Sequence, residues 1–263
     1  MSSAELTLSG VTKRFGGLVA VDDVSFAVPV GRVHGLIGPN GAGKSTAIGL
    51  VSGFLRPDSG SIEFGSSDLT RLSPSAIARL GISRTFQQAS PLGGLSVFEN
   101  VLVGMHTHYH AGLASVLVRT PGARREASEI VRSVRELLAL FGLEPYAEAD
   151  ARNLTFGQLR FLEIARAIAM RPRILMLDEP AAGLNDVERG QLAALIRRFR
   201  DEGVGMLLVD HDVPFVFALC DSMTVMNFGS VIASGDPDTV HRNPAVREAY
   251  LGAAAAAEAP QWH

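Results

Sequence analysis

The residues Gly38-Pro39-Asn40-Gly41-Ala42-Gly43-Lys44-Ser45-Thr46 concentrate more chemical meaning than any other part of this chain. Their G-x-x-x-x-G-K-[ST] spacing combines backbone freedom, a cation and a hydroxyl, a set suited to holding a triphosphate. Gly38, Gly41 and Gly43 let the backbone turn its N–H groups toward phosphate oxygens, because a Cβ there obstructs either left-handed dihedrals or close approach. Lys44 supplies a point charge to the β- and γ-phosphates and Ser45 a hydroxyl ligand for Mg²⁺. The helix expected from Lys44 turns the positive end of its dipole toward the same place.

A second chemical element lies far downstream, where the apolar run Ile174-Leu175-Met176-Leu177 ends in Asp178-Glu179. Asp178 is placed to hold the Mg²⁺ shell, directly or through water, and Glu179, one residue past the strand, to accept a proton from an attacking water as general base. Met105-His106-Thr107-His108-Tyr109-His110 puts two histidines four residues apart, a metal-ligand spacing. With no cysteine or further histidine nearby in sequence, these side chains are read as exposed helix residues.

The elements that must position this chemistry are legible in the apolar pattern. Alternation at Leu6 and Leu8, then at Val24, Phe26 and Val28, predicts antiparallel strands covered on one side. Val33–Ile37 reads as a central strand feeding the phosphate loop and a helix over roughly 44–54. Arg56 to Gly60 is a turn by composition, and Ser61–Phe64 a short strand. From about 95 to 151 the period becomes helical, with Val131, Val134, Leu137, Leu138 and Phe141 on one face. Strands at 173–177 and 206–209 flank a helix with the stripe Leu192, Leu195, Ile196 and Phe199, which implies a right-handed βαβ crossover and a parallel sheet. Short helical pieces follow Pro237, and 253–263 is a small-residue tail expected to be poorly ordered.

Composition sets the outer limits. The 263 residues, 47% hydrophobic and 19% charged, suit a globular chain with a substantial core. A net charge of −3 with dispersed basic residues argues against nucleic acid as a partner. The single cysteine, Cys220, cannot form an intramolecular disulfide, and there is neither a signal-like N-terminus nor an apolar run long enough to span a bilayer. The expected location is the cytoplasm, with any membrane association through a partner.

Between the phosphate loop and the acid pair, Leu154-Thr155-Phe156-Gly157-Gln158 stands at the start of an apparent helix. With these three elements in order, the chain resembles the ATP-binding cassette family, whose Leu-Ser-Gly-Gly-Gln signature is kept here with Thr155 for serine and Phe156 for the first glycine. A helix N-terminus with a side-chain hydroxyl and an unobstructed glycine N–H is a second anion site. The resemblance implies that it binds the γ-phosphate held by an opposite subunit. It further implies that Phe15 stacks on adenine, a core phenylalanine being the alternative, and that Gln87 touches Mg²⁺ or the lytic water and faces a membrane subunit. By the same resemblance His211 contacts the γ-phosphate, and Gly183, Leu184 and Asn185 form a dimer-contact loop with Asn185 where aspartate is common. Taken alone, Gln87 reads as a surface residue and His211 as a loop residue.

The implied fold is α/β: a P-loop NTPase core with a mixed, largely parallel sheet flanked by helices, an antiparallel N-terminal β-subdomain, and an inserted α-helical subdomain over about residues 90–165 of a 1–252 cassette domain. The finer match is to the ATP-binding subunits of branched-chain amino-acid importers. It is carried by Arg14 to Val21, Arg84-Thr85-Phe86-Gln87, Glu99 to Val103, Phe156-Gly157-Gln158, Leu162 to Arg166, Ala181 to Asn185 and Tyr250-Leu251-Gly252. Urea and amide importers and a lipopolysaccharide-exporting cassette share much of this pattern, and a soluble non-transport cassette ATPase is a further alternative. The resemblance implies ATP and Mg²⁺ as ligands, two transmembrane permease subunits and a second cassette, a paralogue or a second copy, as partners, and an external solute-binding protein as an indirect one. It places the chain peripherally on the cytoplasmic side of the inner or plasma membrane.

Overall fold

The computed structural model describes residues 5–85, 91–105 and 121–254. In chain order the strands are β1 (Glu5–Phe15), β2 (Leu18–Pro29), β3 (Val33–Ile37), β4 (Ser59–Phe64), β5 (Ser67–Asp68), β6 (Ile82–Arg84), β7 (Ile174–Asp178), β8 (Gly205–Val209), β9 (Ser222–Asn227) and β10 (Ser230–Gly235). The helices are α1 (Lys44–Val51), α2 (Pro74–Arg79), α3 (Val97–Gly104), α4 (Pro121–Leu140), α5 (Phe156–Ala169), α6 (Asp186–Asp201), α7 (Val213–Phe217), α8 (Pro237–Arg242) and α9 (Pro244–Ala254). The chain divides into two compact units, one of residues 1–84, 173–182 and 193–263, the other of 85–172 and 183–192.

The first unit is a P-loop NTPase-like core built from two sheets. One is antiparallel, in the order β2-β1-β4-β5, and its register pairs Leu6 with Val28 and Leu8 with Phe26, so the alternating apolar residues fall on one face. The other runs β10-β9-β3-β8-β7-β6, parallel throughout except for the β9–β10 hairpin. β3 lies between β9 and β8 and all five of its residues are buried, which is why it reads as a continuous apolar run and not as an alternation. Leu6, Leu8 and Ile62 of the antiparallel sheet join Ala47, Ile48 and Val51 of α1 and Met176 and Leu207 of the parallel sheet in one core cluster. Burial of this kind, at about 25 cal/mol per Å² of apolar surface, is the force that fixes the phosphate loop's flanking elements. α1 is shorter than the 44–54 its pattern suggested: Ser52 ends it, with its hydroxyl donating to Ile48 O at 2.7 Å, and Gly53 follows at φ +73°.

The second unit is mostly helical. α3 opens with a reciprocal capping box in which Ser96 Oγ accepts from the Glu99 N–H and Glu99 Oε2 from the Ser96 N–H, at 3.1 and 2.7 Å. Asn100, fully buried, accepts from the Leu92 N–H and donates to Ser96 O, tying down the strand of backbone that enters this helix. α3 lies close along α5 because Gly104 has no Cβ to strike Ala169 Cβ and the Arg166 carbonyl. On α4, Val134, Leu138 and the following Phe141 are buried as expected, but Val131 is 42% exposed. Among the described residues the buried stripe therefore starts one turn later than its periodicity alone suggested.

Candidate nucleotide-binding site

Ile37 ends β3 and hands the chain directly to Gly38, so the strand fixes where the phosphate loop begins. A Cβ on Gly38 would run into the Met226 carbonyl, and one on Gly43, at φ +102°, into the Ala20 carbonyl and Met226 Cε. Gly41 faces open space and its requirement is conformational, at φ +80°. Pro39, Asn40 and Ala42 complete the turn, with Ala42 donating its N–H to Pro39 O at 3.1 Å. α1 starts at Gly43 with no side-chain cap, and the first intrahelical bond is from the Ala47 N–H to Gly43 O. Its leading amides are thus left to an external acceptor. Lys44 Nζ donates to Gly38 O at 2.6 Å and Pro39 O at 3.0 Å, so the ammonium lies across the turn. Burial holds its pKa down, opposed in part by the negative charges of Glu179 and Asp178. Ser45 is exposed and Thr46 half-buried beside it.

β7 delivers the acid pair. Asp178 is 2% exposed and accepts from Arg84 Nη2 at 3.0 Å, Arg84 standing on the adjacent strand β6. Arg84 Nη1 also donates to Ser52 Oγ at 3.2 Å, so one guanidinium bridges the acid and the C-terminal end of α1. Sequence reading missed this role, since the partners are 94 positions apart and only strand order brings them together. Glu179 takes a left-handed backbone, φ +50°, with its N–H on Val209 O at 2.7 Å. A non-glycine residue held there is strained by about 1–3 kcal/mol, the kind of cost that concentrates at functional sites.

After β8, the Asp210 carboxyl is buried and accepts from the Ala181 N–H at 3.1 Å and the Asp212 N–H at 2.9 Å. Burial pushes its pKa upward. It fastens the turn after the acid pair to the loop carrying His211, a second link that sequence reading missed. His211 itself is exposed, its Nδ1 3.6 Å from Asp210 Oδ1. Phe15, at the end of β1, is 47% exposed, which rules out the core alternative, and Lys13 Nζ lies 5.6 Å from its ring centre. An uncapped helix start, a lysine, the Ser45 hydroxyl and the Asp178 carboxylate are together the donor set that a triphosphate with a hard divalent ion requires.

In the second unit, Leu154 is buried and Thr155 caps α5. Thr155 Oγ1 accepts from the Gln158 N–H at 3.3 Å and Gln158 Oε1 from the Thr155 N–H at 2.9 Å, a complete capping box. Phe156, the first helical residue, is 53% exposed; its ring carries the Arg160 guanidinium at 5.8 Å and lies where a Cβ on Gly183 would go. As a helical residue Phe156 has no need of the backbone freedom a glycine would bring. Gly157 is equally constrained, since the Glu188 carboxylate occupies its Cβ position. Asn185, following buried Leu184, forms its own box with Glu188, each backbone N–H donating to the other's side chain at 3.0 Å. Its side chain has a local structural use at the head of α6. Gln87, His106, His108 and His110 lie outside the described residues, as does the tail beyond α9.

A model of the ABC transporter family matches residues 21–182, more than half of the chain. The chain belongs to the ABC transporter family, in its class of ATP-binding and ATP-hydrolysing subunits. A second model, of the branched-chain amino acid ATP-binding cassette transporter, matches residues 230–256. The chain is 42% identical over 97% of its length to the whole of the high-affinity branched-chain amino acid transport ATP-binding protein BraF of Pseudomonas aeruginosa. It is 41% identical, over the same share of each chain, to the corresponding protein LivG of Escherichia coli. Among solved structures it is similar to the ADP conformation of an ATP-binding cassette of an ABC transporter, at TM-score 0.81 and 31% identity over 95% of this chain and 100% of the other. No helix among the described residues is long and apolar enough to cross a membrane.

Proposed function

We propose that this chain is the ATP-hydrolysing subunit of an importer for branched-chain amino acids, with a 1–252 cassette domain into which a helical segment of about 90–165 is inserted. The carrying observation is the full-length similarity to BraF and LivG, reinforced by the separate C-terminal match at residues 230–256. Phe15 stacks on adenine, the loop from Gly38 to Thr46 cradles the phosphates with the amides its own turn leaves unused, and Lys44 exchanges its loop carbonyls for phosphate oxygens. Ser45, Asp178 and Gln87 would hold Mg²⁺, Asp178 directly or through water, and the ion when bound neutralises phosphate charge. Glu179 accepts a proton from the attacking water, and His211 orients that water from the neighbouring loop.

A second cassette, a paralogue or a copy, closes head to tail, its Leu154–Gln158 segment and Gly183–Asn185 loop facing the first cassette's phosphates. Closure and reopening drive two permease subunits through the Gln87 surface, and a solute-binding protein outside selects the solute. The whole works peripherally on the cytoplasmic face of the membrane. Purification under mild detergent followed by mass spectrometry tests the reading: recovery of two multi-span permeases and a second cassette supports it. Recovery of ribosomal or DNA-bound proteins alone would leave the ATPase standing and remove the importer.

A further inference from the structure

The nucleotide chemistry leaves one cavity of the first unit unused. It measures about 380 Å³ and lies among the end of β3, α7 and the C-terminal helices α8 and α9, within the size range of small-ligand sites. Its walls are apolar: Ile37, Val213 and Val246 are almost wholly buried, and the Phe217 ring meets His241 edge-on at 5.8 Å. The charge available to an occupant comes from the exposed Arg247, with the exposed His241 ring beside it, and no acid lines the cavity among the described residues. Such a site favours an apolar body ending in an anion. An ammonium group would meet a guanidinium and, among the described residues of the lining, no carboxylate.

We propose that this cavity binds a small apolar monocarboxylate, its hydrocarbon body against Ile37, Val213, Phe217 and Val246 and its carboxylate on the Arg247 guanidinium. Planar, forked donors suit that anion in a two-bond geometry. The site is wired to the phosphate loop. Tyr250, which completes the lining, is hydrogen-bonded at its hydroxyl by the Gly38 backbone, and burial raises its pKa above the ordinary phenol value against the pull of that bond. Ile37 precedes Gly38 directly. An occupant that holds Tyr250 and Ile37 in place therefore fixes the first peptide of the loop, and ATP binds more tightly to a turn already ordered. By linkage, ATP tightens carboxylate binding by the same factor.

Calorimetric titration of the full chain with 4-methylpentanoate tests the proposal. Saturable one-to-one binding is expected, with L-leucine at least about tenfold weaker for want of an ammonium partner. Arg247→Gln, at an exposed position, should weaken binding about tenfold or more, and Val246→Trp, which fills the cavity, should abolish it. Affinity for a fluorescent ATP analogue should rise about fivefold with 4-methylpentanoate present, and Tyr250→Phe should remove that rise while the carboxylate still binds. No saturable binding up to about 10 mM in an ATP-competent preparation overturns the site. So does binding that survives both Arg247→Gln and Val246→Trp, or L-leucine binding the tighter of the two. Carboxylate binding that leaves ATP affinity unchanged overturns the coupling.

Discussion

Two helices in this molecule start beside the glycines that the sequence singled out, α1 at Gly43 and α5 at Thr155, and their first turns are finished differently. α1 has no side-chain cap, and its first residue, Lys44, reaches back to carbonyls of its own loop. α5 is closed by the reciprocal Thr155–Gln158 bonds before any ligand arrives. An uncapped start keeps its amides for an external anion, whereas a boxed start is stable by itself and offers an anion less. The phosphate loop is thus a site built to be completed from outside. The Thr155 turn is a finished local structure, to which the phosphate contact proposed above would be a later addition.

That contrast can be broken first at the acid pair. Glu179→Gln removes only the proposed proton acceptor, so steady-state ATPase should fall about 10²–10⁴-fold while ATP affinity is kept and the proposed closed dimer lasts longer. Near-normal turnover in that variant would move the chemistry elsewhere. Arg84→Ala should come next, at about 3–5 kcal/mol of folding stability by urea unfolding, because Asp178 would be left buried without its guanidinium. A loss under about 1 kcal/mol would mean that the pair is no more than a surface ion pair in effect.

A pH series separates the regions further. His34, in the strand that feeds the loop, is stacked on Phe26 at 5.3 Å and bonded through both ring nitrogens to Ser222 and Thr224 hydroxyls at 2.8 and 3.1 Å. Burial depresses its pKa from 6.5 to about 4, so the unfolded chain takes up a proton that the folded one refuses. This contribution is complete above pH 6.5 and is lost as pH falls toward about 4, amounting to about 3 kcal/mol. His34→Gln should flatten that part of the stability profile. The smallest effect belongs to the boxed turn: Thr155→Ala should cost about 1 kcal/mol in thermal unfolding, and Thr155→Ser almost nothing.

What could be read from the chain follows the same division. The phosphate loop was legible because steric demands at Gly38 and Gly43 leave no other residue type, and β3, β7 and β8 because burial on both faces writes a continuous apolar run. The β9–β10 hairpin was not read, since Met223 to Met226 is one more apolar segment with nothing in its spacing to assign it to the sheet edge. Arg84 and Asp210 escaped for a related reason. Each acts on a group from another strand or turn, and that proximity is a property of the sheet order, not of any local pattern. Val131 shows the converse, a position that obeys the helical period and yet is left exposed among the described residues.

The left-handed backbone of Glu179 bears on how this protein could be engineered. A search for thermostable variants would favour glycine there, because glycine takes φ +50° without a Cβ clash and relieves strain of about 1–3 kcal/mol. Such a screen, blind to turnover, would select a better-folded protein that lacks the proposed proton acceptor. Any library built for robustness should therefore hold position 179 fixed.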